Sequence, residues 1–281
     1  MTRIGEKLQR LREIIARLGS CVIAYSGGAD SVLLAYVAHE VLGEKMLAVI
    51  ADSPSLPRRE LEEATEITRQ YQIPFRAVRA GEFENPNYRA NPENRCYFCK
   101  HALFRKLAVI AAEENLAVVA YGENASDIAE DRPGTQAACE FEVRAPLKEA
   151  GLNKPEIREL SRQLGLPTAY KPQMPCLSSR IPHGEMVTLE KLAMIEAAEK
   201  VLRGVGFHDV RVRHHEMRRG GKSHRLARIE VTPGEIAALV DPAMAAPIVA
   251  ALKQIGYTHL TVDLEGYRRQ PAEAAEDVMV G

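Results

Sequence analysis

The chain has 281 residues, which is enough for two domains of ordinary size. Hydrophobic residues make up 46% of it and charged residues 27%, a balance typical of folded globular proteins that excludes a disordered chain. The net charge of −1 argues against a large nucleic-acid-binding surface, and no apolar stretch approaches the ~20 residues that cross a bilayer.

The N-terminal segment and the cysteines indicate the cellular compartment in which the protein is expected. The segment MTRIGEKLQRLREII is predicted to form a charged amphipathic helix rather than a secretory leader. Five cysteines at uneven spacings indicate reduced thiols, metal ligation or catalysis rather than disulfides. We therefore expect a cytoplasmic protein.

The first part of the chain alternates helices with apolar strands. The spacing of apolar residues predicts helices over 3–18, 30–42, 57–72 and 97–114, and strands over 21–25, 46–51, 75–78 and 117–121. Such alternation predicts an α/β fold with a doubly wound parallel sheet, in which ligands bind beyond the carboxyl ends of the strands. We expect the strand ends at 26–28, 52–53 and 122–124 to surround one nucleotide.

The pattern changes after residue 182. Helices over 188–204 and 234–255 and strands over 208–215, 227–231 and 259–264, with a glycine turn at 220–221, suit a small α+β domain with an antiparallel sheet. We expect a nucleotide-binding domain over 1–175 and a smaller domain over 176–270 that contributes to substrate binding and oligomerisation. The tail over 271–281 is expected to be frayed.

The sequence VIAYSGGADS runs an apolar strand through glycines into a helix. Gly27 and Gly28 let the backbone curl with its N–H groups inward, and the helix N-terminus adds about half a positive charge, so the loop suits phosphate. The spacing resembles the SGGxDS signature of PP-loop ATP pyrophosphatases, which cleave ATP to AMP and pyrophosphate while adenylating a substrate. That resemblance implies that Ser26, Gly27, Gly28 and Ser31 hold pyrophosphate and that Asp30 helps to hold Mg²⁺.

Three cysteines stand in two chemically distinctive segments. Cys96 and Cys99, in RCYFCK, are three residues apart at the start of a predicted helix, where the pKa of a thiol is lowered. Cys176 follows two prolines in KPQMPCLSSR, whose basic residues favour the thiolate. A lone CxxC pair also serves redox and zinc sites, but three thiolates can hold a [4Fe–4S] cluster with one open iron. Cys21 and Cys139 are expected to be a buried apolar residue and a bystander.

Other polar residues near these motifs are candidates for binding the nucleotide. Asp52 would either contact adenosine or cap a helix, and Gly122 ends a strand at the same edge of the sheet. Ser179 and Arg180 stand beside Cys176, and arginine suits phosphate or AMP. A mainly acidic cluster follows Gly122 and consists of Asn124, Asp127, Asp131 and Arg132. These residues would either line the nucleotide site or form a charged face in solvent.

The second domain carries charged pairs on two strands. Arg211 and Arg213 alternate along one strand, and Arg228 and Glu230 along the next, so that each pair lies on one face. The alternatives are a phosphate or metal site and ordinary ion pairs across the sheet. The same hairpin carries three histidines, His214, His215 and His224. No carboxylate stands at a spacing that would complete a metal site with them, so we expect this hairpin to be exposed.

Four segments together closely resemble the LarE family: SGGADS, NRCYFCK, GENASDIAEDRPG and PCLSSRIPHGE. Members are ATP-dependent pyridinium-3,5-biscarboxylic acid mononucleotide sulfur transferases, which make the nickel-pincer cofactor of lactate racemase. The resemblance runs from about residue 5 to residue 268 and implies adenylation of a substrate carboxylate, release of pyrophosphate and formation of a thiocarboxylate. It also suggests that Arg211 and Arg213 bind phosphate and that Glu230 binds a metal.

The family resemblance leaves two sources of sulfur. Cys176 matches a position that in some members gives up its own sulfur and becomes dehydroalanine. In other members three cysteines hold a [4Fe–4S] centre that relays sulfide, and Cys96, Cys99 and Cys176 match that type. We expect the second type, with ATP, Mg²⁺ and the cluster as cofactors. The expected partners are a small nucleotide substrate, a sulfide donor and further copies of the chain in a hexamer, with no nucleic acid or membrane.

Three other functions fit part of the pattern. A PP-loop tRNA thiolase also combines the loop with clustered cysteines, but the near-neutral charge disfavours RNA binding. An ammonia-using synthetase, such as the NAD and GMP synthetases, needs no clustered cysteines. A nucleotide-binding regulator of the same fold would bind ATP without releasing pyrophosphate.

Overall fold

The computed structural model describes residues 3–127, 133–219 and 222–267. They form two compact units, and the chain passes from the first to the second between Met174 and Pro175. The predicted tail, the glycine turn at 220–221, and Asp131 and Arg132 lie outside these residues. Within the three ranges no single helix is long and apolar enough to cross a membrane. Two consecutive helical segments, 233–240 and 242–255, reach that length and hydropathy only when they are counted together, and they are joined by a sharp bend.

The first unit contains a four-stranded sheet in the order β3-β2-β1-β4, with every neighbouring pair parallel. Its strands are β1 Cys21–Ala24, β2 Met46–Ala51, β3 Phe75–Val78 and β4 Val118–Tyr121. Its helices are α1 Arg3–Leu18, α2 Ala29–Leu42, α3 Arg58–Gln70, α4 Pro86–Arg89, α5 Arg95–Glu113, α6 Pro133–Glu140, α7 Pro146–Glu149 and α8 Lys154–Gln163. The predicted doubly wound α/β fold is confirmed.

Alternate residues of β1 enter two separate hydrophobic clusters. Ile23 packs in the cluster that contains α1 and α2, whereas Val22 packs in the one that contains Phe104 and Leu107 of α5. Side chains alternate across a strand, so a sheet covered by helices on both faces needs apolar residues at consecutive positions. This explains the continuous apolar run that precedes the glycine loop.

The strand order places a ligand site between β1 and β4. From β1 the chain winds outward to β2 and β3, and then crosses to pair β4 with the other side of β1. Connections leave the carboxyl ends of β1 and β4 in opposite directions, which opens a crevice at that edge of the sheet. The glycine loop at 26–28 follows β1 at this crevice.

The second unit has a three-stranded sheet in the order β5-β6-β7. Its elements are α9 Leu189–Gly204, β5 Arg211–Arg219, β6 Lys222–Glu230, α10 Ile236–Val240, α11 Pro242–Ile255 and β7 His259–Val262. β5 and β6 are antiparallel, but β6 and β7 are parallel. The predicted antiparallel sheet is therefore wrong for β7, because α10 and α11 form a crossover that brings the chain back in the same direction.

The predicted exposure of the histidine hairpin is wrong for His214. Its side chain is fully buried, and its Nδ1 lies 3.2 Å from the hydroxyl oxygen of Tyr257. His214 follows Val212 by two residues, so the alternation of β5 turns both side chains towards the core of this unit. Burial lowers the pKa of His214 to about 4, which keeps its imidazole neutral at neutral pH.

Candidate active site

The glycine loop between β1 and α2 is shaped by close packing. Gly27 has a φ of +72°, and a Cβ at this position would lie 2.6 Å from the Cβ of Ala64 on α3. Gly28 directly precedes α2 and has no side chain to cap the first N–H groups of the helix. A loop so built leaves backbone donors at a helix N-terminus for an anion.

Two serines tie the loop to the first turn of α2. The Oγ of Ser31 accepts a hydrogen bond from the N–H of Ser26 at 3.1 Å and lies 3.0 Å from the Oγ of Ser26. The same hydroxyl donates to the carbonyl oxygen of Gly28 at 3.1 Å. These hydrogen bonds tie the loop to α2, and a loop braced by its own contacts has a lower ordering cost on binding.

Gly122 brings the end of β4 against the same helix turn. A Cβ on Gly122 would lie 3.0 Å from the backbone nitrogen of Ser31 and 3.2 Å from the Cβ of Asp30. These distances are shorter than ordinary van der Waals contacts. Glycine at this position therefore lets β4 and α2 enclose the crevice.

Asp30 has one carboxylate oxygen in an ion pair and one that is buried without a partner among the described residues. Its Oδ2 lies 2.7 Å from the Nζ of Lys154, which begins α8. Its Oδ1 is buried and has no hydrogen-bond partner among the residues that the structure describes. An unsatisfied buried carboxylate oxygen is costly, and carboxylate oxygens are preferred ligands of Mg²⁺, so the residue fits the predicted role. Sequence reasoning missed Lys154, which no motif marks.

A cavity of 240 Å³ opens at the crevice. The polar residues that line it include Ser26, Asp30, Lys100, Glu123, Asp127 and Gln173. The Nζ of Lys100 lies 5.1 Å from the ring centre of Tyr121, and Gly134 leaves room for the lysine side chain. A lysine among three carboxylates suits a ligand that carries both phosphate and metal charge.

The loop after β4 is held by its own side chains. The hydroxyl of Tyr121 donates to Glu123, and the Nζ of Lys148 lies 3.0 Å from the other oxygen of that carboxylate. Burial and the hydrogen bond to Glu123 raise the pKa of Tyr121, so its phenol stays protonated. Asp127 accepts a hydrogen bond from the N–H of Asn124 at 3.1 Å, so both predicted residues belong to this loop.

Asp52, predicted to contact adenosine, lies at the end of β2 in an ion pair. Its Oδ1 is 2.5 Å from the Nη1 of Arg58, the first residue of α3, and the Nη2 of Arg58 donates to the carbonyl of Ser53. The carboxylate is 38% exposed. The adenosine contact stays a prediction.

The cysteines of the predicted cluster belong to different units. Cys96, which is exposed, lies in the first turn of α5, and Cys99, which is half-buried, lies about one turn further along the helix. Cys176 belongs to the second unit and precedes the short helical turn Leu177–Arg180. Burial raises the pKa of Cys21 to about 12, whereas Cys139 is exposed. None of the five forms a disulfide.

No group of three or more His, Cys, Asp or Glu side chains that could hold a metal occurs within the described ranges. The iron–sulfur cluster therefore stays a prediction.

Arg180 braces the segment around Cys176. Its guanidinium is fully buried, with Nε 2.9 Å from Glu199 and Nη1 donating to the carbonyl oxygens of Pro175 and Cys176 at 2.8 and 3.3 Å. Its Nη2 is buried without a hydrogen-bond partner among the described residues, so a ligand contact there stays a prediction. Sequence reasoning missed Glu199. Burial raises its pKa, but Arg180 and Arg203 outweigh that effect, and the net pKa lies below its ordinary value.

The charged pairs of β5 and β6 form ion pairs. Arg213 makes a two-point contact with Glu230 at 2.9 and 3.0 Å and donates to the carbonyl of Ser179 at 2.8 Å. Arg228 reaches the same glutamate at 3.2 Å. The guanidinium of Arg211 is buried over the ring of Tyr267, and burial, followed by the charge of Arg180, lowers its pKa. Phosphate and metal binding at these residues stay predictions.

The SGGxDS loop at the crevice of a parallel sheet defines the first unit as a PP-loop nucleotide-binding unit. No protein-family model matches the chain. The chain is 44% identical over 265 residues to an uncharacterised protein of Synechocystis sp., covering 94% of this chain and 96% of that protein. It is 30% identical over 208 residues to one component of the glutamine-hydrolysing GMP synthase of Archaeoglobus fulgidus, covering 68% of this chain and 67% of that component.

The chain is also 30% identical over 269 residues to the pyridinium-3,5-bisthiocarboxylic acid mononucleotide synthase of Lactiplantibacillus plantarum. This similarity covers 95% of the present chain and 94% of that protein. The chain belongs to the family of that synthase, the LarE family, within the wider group of PP-loop proteins. The predicted family is confirmed, while the three-cysteine type stays a prediction.

Proposed function

We propose that this chain is an ATP-dependent sulfur transferase that converts a carboxylate of pyridinium-3,5-biscarboxylic acid mononucleotide into a thiocarboxylate, a step in the synthesis of the nickel-pincer nucleotide cofactor. The observation that carries the proposal is the preorganised glycine loop beside Asp30, whose buried oxygen has no partner within the described part of the chain. The name of the relative from Lactiplantibacillus plantarum, which describes a bisthiocarboxylic product, supports the substrate.

In the first step the substrate carboxylate attacks the α-phosphorus of ATP. The bond between that phosphorus and the bridging oxygen breaks, and pyrophosphate leaves with the electron pair. The N–H groups of the loop at 26–28 and the N-terminus of α2 stabilise the charge on the departing group. Asp30 would hold Mg²⁺, which supplies further positive charge when it is bound. The products are an acyl-adenylate and pyrophosphate.

In the second step a sulfur nucleophile attacks the acyl carbon and AMP leaves. Hydrosulfide gives the thiocarboxylic acid directly, which then loses its proton. If the thiolate of Cys176 attacks instead, a thioester forms. Removal of the Cα proton of Cys176 then breaks its Cβ–Sγ bond, leaving dehydroalanine in the chain and a thiocarboxylate on the substrate. The first route is repeatable, whereas the second consumes the protein.

We propose the first route, with Cys96, Cys99 and Cys176 as ligands of a [4Fe–4S] cluster. A cluster held by these three thiolates would supply an iron site that could bind an exogenous sulfide. The support is the donor set itself, since Cys96 and Cys99 are one helical turn apart on α5. Cys176 as sacrificial donor is the alternative.

The test uses protein purified without oxygen, incubated with ATP, Mg²⁺, sulfide and the dicarboxylate substrate. Iron content, pyrophosphate, thiocarboxylate and the intact mass of the protein are measured together. The cluster route predicts bound iron, several turnovers and an unchanged mass, and it predicts that Cys96→Ala abolishes transfer while Cys139→Ala, an exposed control, does not. One turnover with conversion of Cys176 to dehydroalanine contradicts the cluster. Product formation from ammonia by a variant lacking all three cysteines contradicts sulfur transfer.

A further inference from the structure

Residues 171–174, here called the strap, are anchored at both ends to the first half of α3. The Nζ of Lys171 lies 2.8 Å from Glu60 and 2.9 Å from Glu63. The Lys171 side chain is 14% exposed and that of Glu60 is 6% exposed, so their ion pair is largely withdrawn from water. At the other end of the strap, the Nη2 of Arg59 lies 3.8 Å from the sulfur of Met174.

Between these two anchors, the strap reaches the nucleotide crevice. Gln173 lines the same cavity as Ser26 and Asp30. Pro172 lies within the strap and Pro175 directly follows it, and each proline fixes its own backbone φ and limits the freedom of the chain. Cys176 follows Met174 by only two residues in the sequence. The strap is thus the stretch of chain that leads from the nucleotide crevice to Cys176.

The helix that holds the strap also contacts the other parts of the site. Arg58 binds both the side chain of Asp52 and the backbone of Ser53, at the end of β2. The Cα of Gly27 packs so closely against Ala64 that no Cβ could be added there. Because α3 touches the glycine loop, the end of β2 and the strap, it fixes their positions relative to one another within the first unit.

We propose that Lys171 is a positioning residue for sulfur transfer. Its ion pair with Glu60 holds the strap on α3, which fixes the point from which the chain continues towards Cys176. This proposal rests on the proposed function, and it assigns Lys171 to the second step. Adenylation needs the glycine loop and Asp30, which keep their own contacts without the strap. Transfer needs the sulfur to meet an acyl carbon in the right geometry, where small displacements are costly.

The experiment separates the two steps in the full-length protein. Substrate-dependent exchange of labelled pyrophosphate into ATP reports adenylation, and a single-turnover assay reports thiocarboxylate formation. Lys171→Met removes the charge and keeps the length of the side chain, whereas Lys171→Arg restores the charge. Lys7→Met is the matched control, because Lys7 makes a 2.6 Å ion pair with Glu156 in the same unit, with both side chains 20% exposed.

We expect Lys171→Met to slow thiocarboxylate formation by about tenfold to a hundredfold, while pyrophosphate exchange changes by less than about twofold. Lys171→Arg should recover most of the transfer rate, and Lys7→Met should leave both rates unchanged. Arg59→Gln, at a side chain that is 39% exposed, provides a second variant that retains the Lys171–Glu60 pair and should show a smaller loss of transfer alone.

Three results overturn the assignment: wild-type transfer by Lys171→Met, an equal loss of exchange and transfer, or the same loss in Lys7→Met. If Lys171→Met does not fold, unchanged transfer by Arg59→Gln overturns it. Absence of exchange in the wild-type protein contradicts the proposed function instead, so the two failures are distinguishable.

Discussion

Gly122→Ala tests whether β4 and α2 must enclose the crevice that Ser26 and Asp30 line. The added Cβ would lie 3.0 Å from the nitrogen of Ser31 and 3.2 Å from the Cβ of Asp30. Reaching an ordinary separation of about 3.5 Å requires a shift of about 0.5 Å in the first turn of α2. Overpacking of this kind costs about 1–3 kcal/mol of stability. Because a misplacement of about 1 Å can slow catalysis a hundredfold, we expect pyrophosphate release to fall about tenfold.

The assay is pyrophosphate release with ATP, Mg²⁺ and substrate, beside thermal unfolding of the same preparations. Gly204→Ala is the control, because no atom lies within 4 Å of a Cβ at that position and its backbone is not in the left-handed region. Alanine there should leave the rate unchanged and raise stability by up to about 1 kcal/mol. Wild-type pyrophosphate release by Gly122→Ala would show that the close approach of β4 to α2 is not needed for adenylation.

Three further changes test the site and the second unit. Asp30→Asn should lower Mg²⁺-dependent pyrophosphate release by about 10²–10³ with little change in the melting temperature; wild-type release would remove Asp30 from the metal site. Glu199→Gln leaves the buried Arg180 without a carboxylate and should lower the free energy of unfolding in urea by about 3 kcal/mol. Because the folded pKa of Glu199 is lowered, the stability that its ion pair contributes should be lost as the pH falls below about 4.5. The folded pKa of His214 is about 4 against an ordinary 6.5, so the unfolded chain binds more protons between these values. This residue should therefore lower wild-type stability by about 3 kcal/mol from pH 7 to pH 4, and His214→Asn should flatten that slope in the same titration.

The sheet and the glycine loop could be predicted because their determinants are local. Apolar residues recur at helical spacing or in short continuous runs, and the two glycines stand where a buried strand must turn into a helix. Gly122 was also predictable as a pocket residue, since the carboxyl ends of parallel strands meet at one edge. These features depend on residues that are close in sequence or on a general property of the fold.

The partners of the candidate site residues could not be predicted in the same way. Lys154 meets Asp30 from 124 positions away, and Glu199 meets Arg180 from the next helix of the second unit. Such pairs follow from how helices pack, which no local motif records. The buried position of His214 was missed for a different reason. A histidine in a charged hairpin suggests solvent, but the alternation of β5 places it on the core side.

The relatives indicate where the specificity of the reaction should be sought. The similarity to the GMP synthase component extends over 68% of the chain, whereas that to the bisthiocarboxylic acid synthase extends over 95%. Activation by ATP needs a glycine loop and a metal-binding carboxylate, which a PP-loop enzyme requires whatever nucleophile follows. In the proposed mechanism, the choice between ammonia and sulfur is made after adenylation, by the group that reaches the acyl carbon. On the proposed route, the residues that decide this choice should therefore be Cys96, Cys99 and Cys176, together with the strap that precedes Cys176, rather than those of the glycine loop.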